Sequence, residues 1–413
     1  IQDHVLSGLK MNYKKQALYN TLGNLIYLFA QWLLTVISTR ISGVEAAGVL
    51  TLAISIGNIF YFIQMYGMRS YQAADVDNEF TSPQYLKSRY ITTVIGLLLI
   101  ILLLCILHYP IGKTMAILAY TLFRSFEALS DVLFGEMQKI GRLDISAKSM
   151  CIKSIAMLVI FTVAQFLWND VAKSLFCITL VALLVYLFYD YRNYCKLFST
   201  PTYSHTHAVP LLKNCFLLLL TTLFPIVITS LPRTLLESYY GTEILGYYGN
   251  VSTPTVLITA IVPNLLTPFM TLYGKLVLQK DYKTLMKYFV MSIAGTIVLG
   301  GIFIIGVIFA GQPIMSLIYT SSIIPYVHYL YPLIIATVIY ALGMCGNSIL
   351  ISMKKNKEVT IFSGISLIVC ILIANPLIQQ FGINGTILTM GISYMAQNIL
   401  QIIYILYYII KGR

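Results

Sequence analysis

Long apolar runs separated by short polar stretches recur along the whole chain. A helix needs roughly 20 apolar residues to cross the hydrocarbon core of a bilayer. Twelve runs approach this length, at about 18–40, 45–67, 88–108, 113–135, 149–168, 172–190, 211–236, 244–272, 285–310, 325–352, 359–378 and 383–410. The pattern predicts an all-α integral membrane protein of about twelve transmembrane helices.

The composition agrees with lipid as the solvent. Only 10% of the residues are charged, whereas soluble domains carry about 25%. The formal net charge of +12 does not indicate a nucleic-acid partner, because the basic residues lie in short loops rather than on one continuous stripe. The 7 cysteines are scattered without paired spacing, so we expect no disulfide, no metal site and no cofactor.

The distribution of positive charge predicts the orientation. Most of the 27 lysines and arginines, Arg89 and Lys153 among them, fall in loops or run ends on one side of the predicted bilayer. The loops on the other side contain only Arg40, Lys113 and Lys173. Because cytosolic loops are enriched in Lys and Arg, both termini and the charged loops are predicted to be cytosolic.

A repeated pattern divides the chain into halves. The sequence G-x-E-x-x-G occurs at 43–48, after the first run, and again at 241–246, after the seventh. Each second run is predicted to end at a Tyr-Gly pair, Tyr66-Gly67 and Tyr273-Gly274. Since each half contains an even number of helices, both have the same orientation, which is a parallel repeat. We therefore expect two pseudo-symmetric six-helix lobes around a central cavity.

The repeat also sets the domain boundaries. They are a cytosolic N-terminal segment at 1–17, an N-terminal lobe at 18–190, a cytosolic linker at 191–210 and a C-terminal lobe at 211–413. Residues 1–10 precede Met11, which resembles a natural start, and they lack the pattern of a cleavable signal peptide. His205 and His207 in the linker favour a solvated loop over a metal site, because no further ligands accompany them.

The fourth run carries unusual charge. Arg124, Glu127 and Asp131 follow at i, i+3 and i+7, so they lie on one helical face, and Gln138 continues that face. Ionisable groups at membrane depth line a cavity or pair with one another. Two interpretations stay open: a structural Arg124–Glu127 pair that holds helices together, or the polar wall of a translocation cavity.

A second group of charged residues lies near the predicted outer surface. Arg233 and Glu237 stand at i and i+4 after Pro232, and Arg40 ends the first run. These side chains could line the same cavity or extend to the polar interface. The prolines of the seventh and eighth runs favour either static kinks or the interrupted helices that mark transporter binding sites.

Two segments carry a family resemblance. They are YGMRSYQAAD at 66–75 and the stretch from Glu127 through GEMQK at 135–139 to Asp144. With the turn at 43–48, they resemble the oligosaccharide-lipid flippases often called Wzx, in the polysaccharide-transporter branch of the MOP superfamily. The likeness covers nearly the whole chain from Met11. It places the following residues in a motif at the cytosolic gate: Arg69, Gln72, Asp75 and Gln138.

The resemblance implies a function. Such proteins are bacterial plasma-membrane transporters, not enzymes, that move an undecaprenyl-diphosphate-linked oligosaccharide by alternating access, with H⁺ or Na⁺ as a possible coupling ion. The lipid-linked oligosaccharide and membrane lipid would be the partners, with a polysaccharide polymerase and a chain-length regulator as possible protein partners. The candidate residues of the translocation cavity, taken from the charged positions described above, are Arg40, Arg124, Glu127, Asp131, Arg233 and Glu237.

Three rival functions compete with this one. A cation-coupled multidrug exporter of the same superfamily would share the fold and the cavity. A membrane polysaccharide polymerase would need a sizeable outward loop, whereas the largest predicted one, about 311–324, carries no charge and hence no acid or base. A channel fits a two-lobe repeat less well than alternating access does.

Overall fold

The computed structural model of the protein describes residues 13–75, 77–198 and 208–411. Nearly all of these residues are helical, and the described ranges contain no β-strand. The predicted all-α class is therefore confirmed. Residues 199–207 of the predicted linker, which include His205 and His207, lie outside the described residues.

The chain divides into two compact units, and the boundary in the sequence lies between Leu223 and Phe224. Unit 1 runs up to Leu223. Its helices are α1 (Tyr13–Ser42), α2 (Val44–Met65), α3 (Met68–Ala74), α4 (Ser82–Leu107), α5 (Ile111–Lys139), α6 (Leu143–Trp168), α7 (Val171–Val185), a π-helix (Tyr186–Tyr191), α8 (Arg192–Leu197) and the beginning of α9 (Val209–Ser252).

Unit 2 begins at Phe224, inside α9. The remaining helices are a 3₁₀ turn (Thr253–Thr255), α10 (Val256–Leu278), α11 (Tyr282–Ile318), a 3₁₀ helix (Ser321–Tyr329), α12 (Leu330–Ser352), α13 (Asn356–Phe381) and α14 (Ile383–Lys411).

Ten helical stretches in the described part of the chain are long and apolar enough to cross a membrane. One of them, Val209–Leu278, is broken by non-helical backbone at Gly241 and so contains two spans. Helix α5 is not among the ten. It has the length of a span but carries the charged face predicted from the sequence. Dividing the broken stretch and adding α5 gives the twelve predicted spans.

The outer helix faces identify the solvent. Large apolar side chains stay exposed on several helices, for example Leu98 on α4, Phe166 on α6 and Phe309 on α11, at 61%, 72% and 82%. Water would penalise apolar surface on this scale, whereas lipid tails solvate it. The protein is therefore a multi-pass membrane protein.

The two copies of the repeated turn have nearly the same backbone conformation. Gly43 has φ 90° and ψ 175°, and Gly241 has φ 84° and ψ 170°. This region of backbone space is essentially restricted to glycine. Each glycine thus lets one helix end and the next begin without a loop.

Two expectations about helix ends were wrong. Gly67 follows the end of α2 with φ 64°, but its counterpart Gly274 lies inside α10, which continues to Leu278. The predicted outward loop 311–324 is largely absent, because α11 continues to Ile318 with Pro313 inside it. The apolar residues after Gln312 continue the helix, with Met315 buried and Ile314 and Leu317 exposed on its outer side.

Candidate functional site

Arg124 is held in unit 1 by aromatic rings. Its guanidinium carbon lies 3.7 Å from the centre of the Tyr61 ring of α2. Tyr27 of α1 and Tyr120 of α5 also interact electrostatically with it. The side chain is partly exposed, and its buried Nε donates no hydrogen bond. We call Tyr27, Tyr61, Tyr120 and Arg124 the Arg124 aromatic group.

Glu127, one turn further along α5, pairs with a lysine. Its Oε1 lies 3.2 Å from Lys153 Nζ of α6. The same ammonium lies 3.0 Å from Asp190 Oδ2 of the π-helix and donates to Ser130 Oγ at 2.7 Å. We call Glu127, Ser130, Lys153 and Asp190 the Lys153 cluster.

The Arg124 aromatic group and the Lys153 cluster are connected through Tyr27. Its hydroxyl accepts a hydrogen bond from Gln31 Nε2 at 3.0 Å and is hydrogen-bonded to Glu127. Since the phenolic oxygen already accepts from Gln31, its proton is available for the carboxylate. Helices α1 and α5 are thus joined by polar contacts at the site.

Asp131 belongs to a third arrangement. Its Oδ1 accepts from Arg69 Nη1 at 3.2 Å, and its Oδ2 accepts from Arg89 Nη2 at 3.3 Å. Arg69 also donates through Nε and Nη2 to Gln138 Oε1, at 3.2 and 2.9 Å. One carboxylate therefore ties α3 and α4 to α5. We call Arg69, Arg89, Asp131 and Gln138 the Asp131 cluster.

Gln72 packs α3 closely against α5. Its Nε2 donates to the Val132 carbonyl at 3.1 Å and to Glu136 Oε1 at 2.5 Å. A Cβ atom at Gly135 would overlap the Gln72 amide. Glycine is required at 135 because the side chain of Gln72 fills the space that any larger residue would need.

Asp75 organises the turn between α3 and α4. Its carboxylate accepts from the backbone N–H groups of Glu79 (2.7 Å) and Phe80 (3.2 Å) and from the Tyr85 hydroxyl (2.9 Å). Lys139 Nζ lies 3.5 Å away. Burial alone would raise the pKa of Asp75, but these hydrogen bonds and Lys139 hold it below its usual range.

The structure therefore divides the charged face of α5 among different partners. The ion-pair partner of Glu127 is Lys153, and the partners of Asp131 are Arg69 and Arg89. The Arg124–Glu127 pair considered above is not formed, because Arg124 packs on an aromatic ring instead. Of the predicted gate residues, Arg69 and Gln138 contact each other. Gln72 and Asp75 instead contact Glu136 and Lys139 of α5.

Two of the cations counted on the predicted cytosolic side lie inside helices and are buried. Lys153 lies in the interior of α6, with its side chain only 3% exposed, and Arg89 lies in α4 with its side chain fully buried. Each of these two cations balances the negative charge of carboxylates on other helices. A signal was present in the sequence: Ser146, Ser149 and Lys153 follow at i, i+3 and i+7, and all three are buried.

Unit 2 contains the remaining predicted pair. Arg233 lies 5.7 Å from the Tyr248 ring centre, is hydrogen-bonded to that tyrosine, and has a buried Nε without a partner. Glu237 is buried and accepts from Thr242 Oγ1 at 3.3 Å. Arg40 lies exposed in the last turn of α1 in unit 1.

The arrangement suits anion binding better than metal binding. Among the described residues, no group of three or more His, Cys, Asp or Glu side chains could hold a metal ion. Each unit instead presents an arginine that contacts a tyrosine ring. An arginine on an aromatic face keeps its charge and its planar array of N–H donors, which match phosphate or carboxylate oxygens.

Solved structures with the same fold exist. An inward-facing multidrug resistance MATE family transporter of the MOP superfamily matches with a TM-score of 0.71 at 13% identity, over 100% of this chain and 98% of that one. The lipid II flippase MurJ, in an inward closed conformation, matches with a TM-score of 0.73 at 14% identity, over 93% and 87%. This chain has the fold of the MOP-superfamily transporters. These neighbours are transporters rather than enzymes.

Sequence comparison adds a curated relative. The capsular polysaccharide biosynthesis protein CapF of Staphylococcus aureus is 24% identical over 394 residues, which cover 91% of this chain and 94% of that protein. No protein-family model matches the chain. The similarity extends over both units.

Proposed function

We propose that the protein is a flippase that moves an undecaprenyl-diphosphate-linked oligosaccharide across the bacterial plasma membrane by alternating access. The product would serve capsule, exopolysaccharide or O-antigen synthesis. The observation that carries the proposal is Arg124: a half-buried arginine in a transporter fold, whose guanidinium packs on the Tyr61 ring and whose Nε has no hydrogen-bond partner. The similarity to CapF and MurJ supports the substrate class.

The chemistry of Arg124 fits a diphosphate. A guanidinium can donate two parallel hydrogen bonds to phosphate oxygens and stays charged at any physiological pH. A carboxylate partner would compete with the incoming phosphate, but the Glu127 carboxylate pairs with Lys153. Arg124 can therefore receive a phosphate without first breaking an ion pair.

The sidedness is part of the proposal. With Lys153 and Arg89 removed from the loop cations, the charge asymmetry persists, since only Arg40, Lys113 and Lys173 lie on the opposite side. Cytosolic termini would then place the Asp131 cluster and Asp75 at the cytosolic end of unit 1. A polysaccharide polymerase and a chain-length regulator are the protein partners proposed for this function.

Substrate binding by the purified protein tests the proposal. We expect undecaprenyl-diphosphate-linked oligosaccharide to bind the protein in nanodiscs, and Arg124→Ala to weaken binding about tenfold or more, because a charge-assisted hydrogen bond contributes about 1.5–3 kcal/mol. Arg192→Ala, an exposed arginine, is the matched control. Tight binding of ethidium without binding of the lipid would instead support the multidrug exporter.

A further inference from the structure

The Lys153 cluster contains more negative than positive charge. One ammonium faces two carboxylates, Glu127 Oε1 at 3.2 Å and Asp190 Oδ2 at 3.0 Å. Ser130 accepts from Lys153 and donates to Asp190 Oδ2 at 2.6 Å. The Asp190 side chain is fully buried, and the Glu127 side chain is 12% exposed.

Asp190 has one oxygen without any partner. Its Oδ1 is buried and receives no hydrogen bond. Leaving an ionised carboxylate oxygen unsolvated in a low-dielectric interior is costly, and a buried acid relieves that cost by taking up a proton. Glu127 Oε1 also lacks a hydrogen bond but has the Lys153 ammonium beside it, whereas a proton on Asp190 Oδ1 would displace no hydrogen bond.

The other groups around the cluster do not supply the missing positive charge directly. Tyr27 of α1 donates to Glu127, and Tyr186 and Tyr189 face Asp190 from the π-helix. Arg124 is the nearest further cation on α5, and it interacts with Glu127 only electrostatically while it packs on Tyr61. All three tyrosines are neutral at physiological pH.

The π-helix explains how Asp190 reaches this position. Residues Tyr186–Tyr191 form the π-helical segment between α7 and α8. The wider turn points Asp190 into the bundle, where it is buried, while the adjacent Tyr191 stays exposed. Such segments carry a cost in backbone hydrogen bonding and occur frequently at functional sites.

We propose that the Lys153 cluster binds one exchangeable proton, shared between Glu127 and Asp190, and that the Lys153 ammonium closes the cluster to Na⁺. The three oxygens around Lys153 are hard donors of the kind that a small cation prefers. The ammonium already occupies the position between them. The proton would be the coupling ion of the proposed transport function. Its binding site does not depend on that function, but its physiological role does.

The protonation state is testable without substrate. In the infrared spectrum of the purified protein, a protonated buried carboxylic acid has a C=O band distinct from that of a carboxylate. We expect the wild-type protein to show this band, and both Asp190→Asn and Glu127→Gln to lose the intensity of one acid, because either change leaves one carboxylate for one ammonium. Asp170→Asn, at the partly exposed N-cap residue of α7, should change nothing.

Two results would overturn the proposal. One is a carboxylic-acid band that is absent from the wild-type protein or persists in full in both variants. The other is a wild-type protein that melts at a higher temperature in Na⁺ than in choline at equal ionic strength, while Asp190→Asn melts at the same temperature in both. If the infrared and melting measurements give the expected results but the protein does not transport lipid, only the proposed function would be contradicted.

Discussion

Asp131 Oδ1 lies 3.2 Å from Arg69 Nη1, and Oδ2 of the same carboxylate lies 3.3 Å from Arg89 Nη2. Arg89 is fully buried, so its charge depends on Asp131 for compensation. Removing one partner of a buried ion pair costs about 3–5 kcal/mol, because the other charge is left unpaired. The contact therefore stabilises the packing of α3, α4 and α5.

We expect Asp131→Asn to lower the free energy of unfolding by about 3 kcal/mol or more, measured by denaturant unfolding in detergent. The matched control is Asp170→Asn, whose partner Lys173 lies 3.9 Å away with 61% of its side chain exposed. Such surface pairs contribute about 0–1 kcal/mol. Equal losses for the two variants would show that the Asp131 cluster contributes no more than a surface pair.

Gly135→Ala tests the close contact between α3 and α5. The new methyl group would overlap the Gln72 side chain, so we expect a destabilisation of about 1–3 kcal/mol. Gly112→Ala on the same helix meets no atom within 4 Å and should change stability by about 1 kcal/mol or less. Both are read from thermal melting, and a Gly135→Ala protein that melts like wild type would refute the contact.

The stability supplied by Asp75 should depend on pH. Since folding holds its pKa below the usual range, its contribution is complete above the pKa of an unfolded carboxyl, about 4, and is lost as the pH falls through the lower folded-state value. We expect Asp75→Asn to be less stable than wild type at pH 7, and the difference to shrink below about pH 4. A difference that grows in acid would contradict this sign.

Cysteine labelling tests the predicted orientation. In a variant without its native cysteines, Lys355→Cys should stay unlabelled by a membrane-impermeant maleimide in intact cells, and Lys173→Cys should react. Lysis of the cells should make position 355 reactive. The opposite pattern would reverse every statement about sidedness and would place Asp75 on the outer face.

The sequence predicted the helices well because lipid imposes one strong constraint, an apolar run of sufficient length. It also located the charged face of α5, since helical spacing alone puts Arg124, Glu127 and Asp131 together. It could not assign their partners. Lys153 and Arg89 lie near the ends of apolar runs, where a loop cation and a buried counter-ion have the same local pattern.

The role of Asp190 was hidden for a related reason. It is the last residue of the sixth apolar run, where an acid normally marks the return to water. Its burial depends on the π-helix at 186–191 and on Lys153 of a different helix. Neither feature has a local sequence signature that hydrophobic periodicity detects.

Translocation in proteoliposomes is the most direct test of the proposed function. The measurement is the rate at which undecaprenyl-diphosphate-linked oligosaccharide with a fluorescent label reaches the opposite leaflet, where an impermeant quencher removes its signal. We expect flipping by the wild-type protein, partial activity for Arg124→Lys, little for Arg124→Ala, and wild-type activity for Arg192→Ala. Wild-type flipping by Arg124→Ala, or no flipping above that of protein-free liposomes by any variant, would contradict the account.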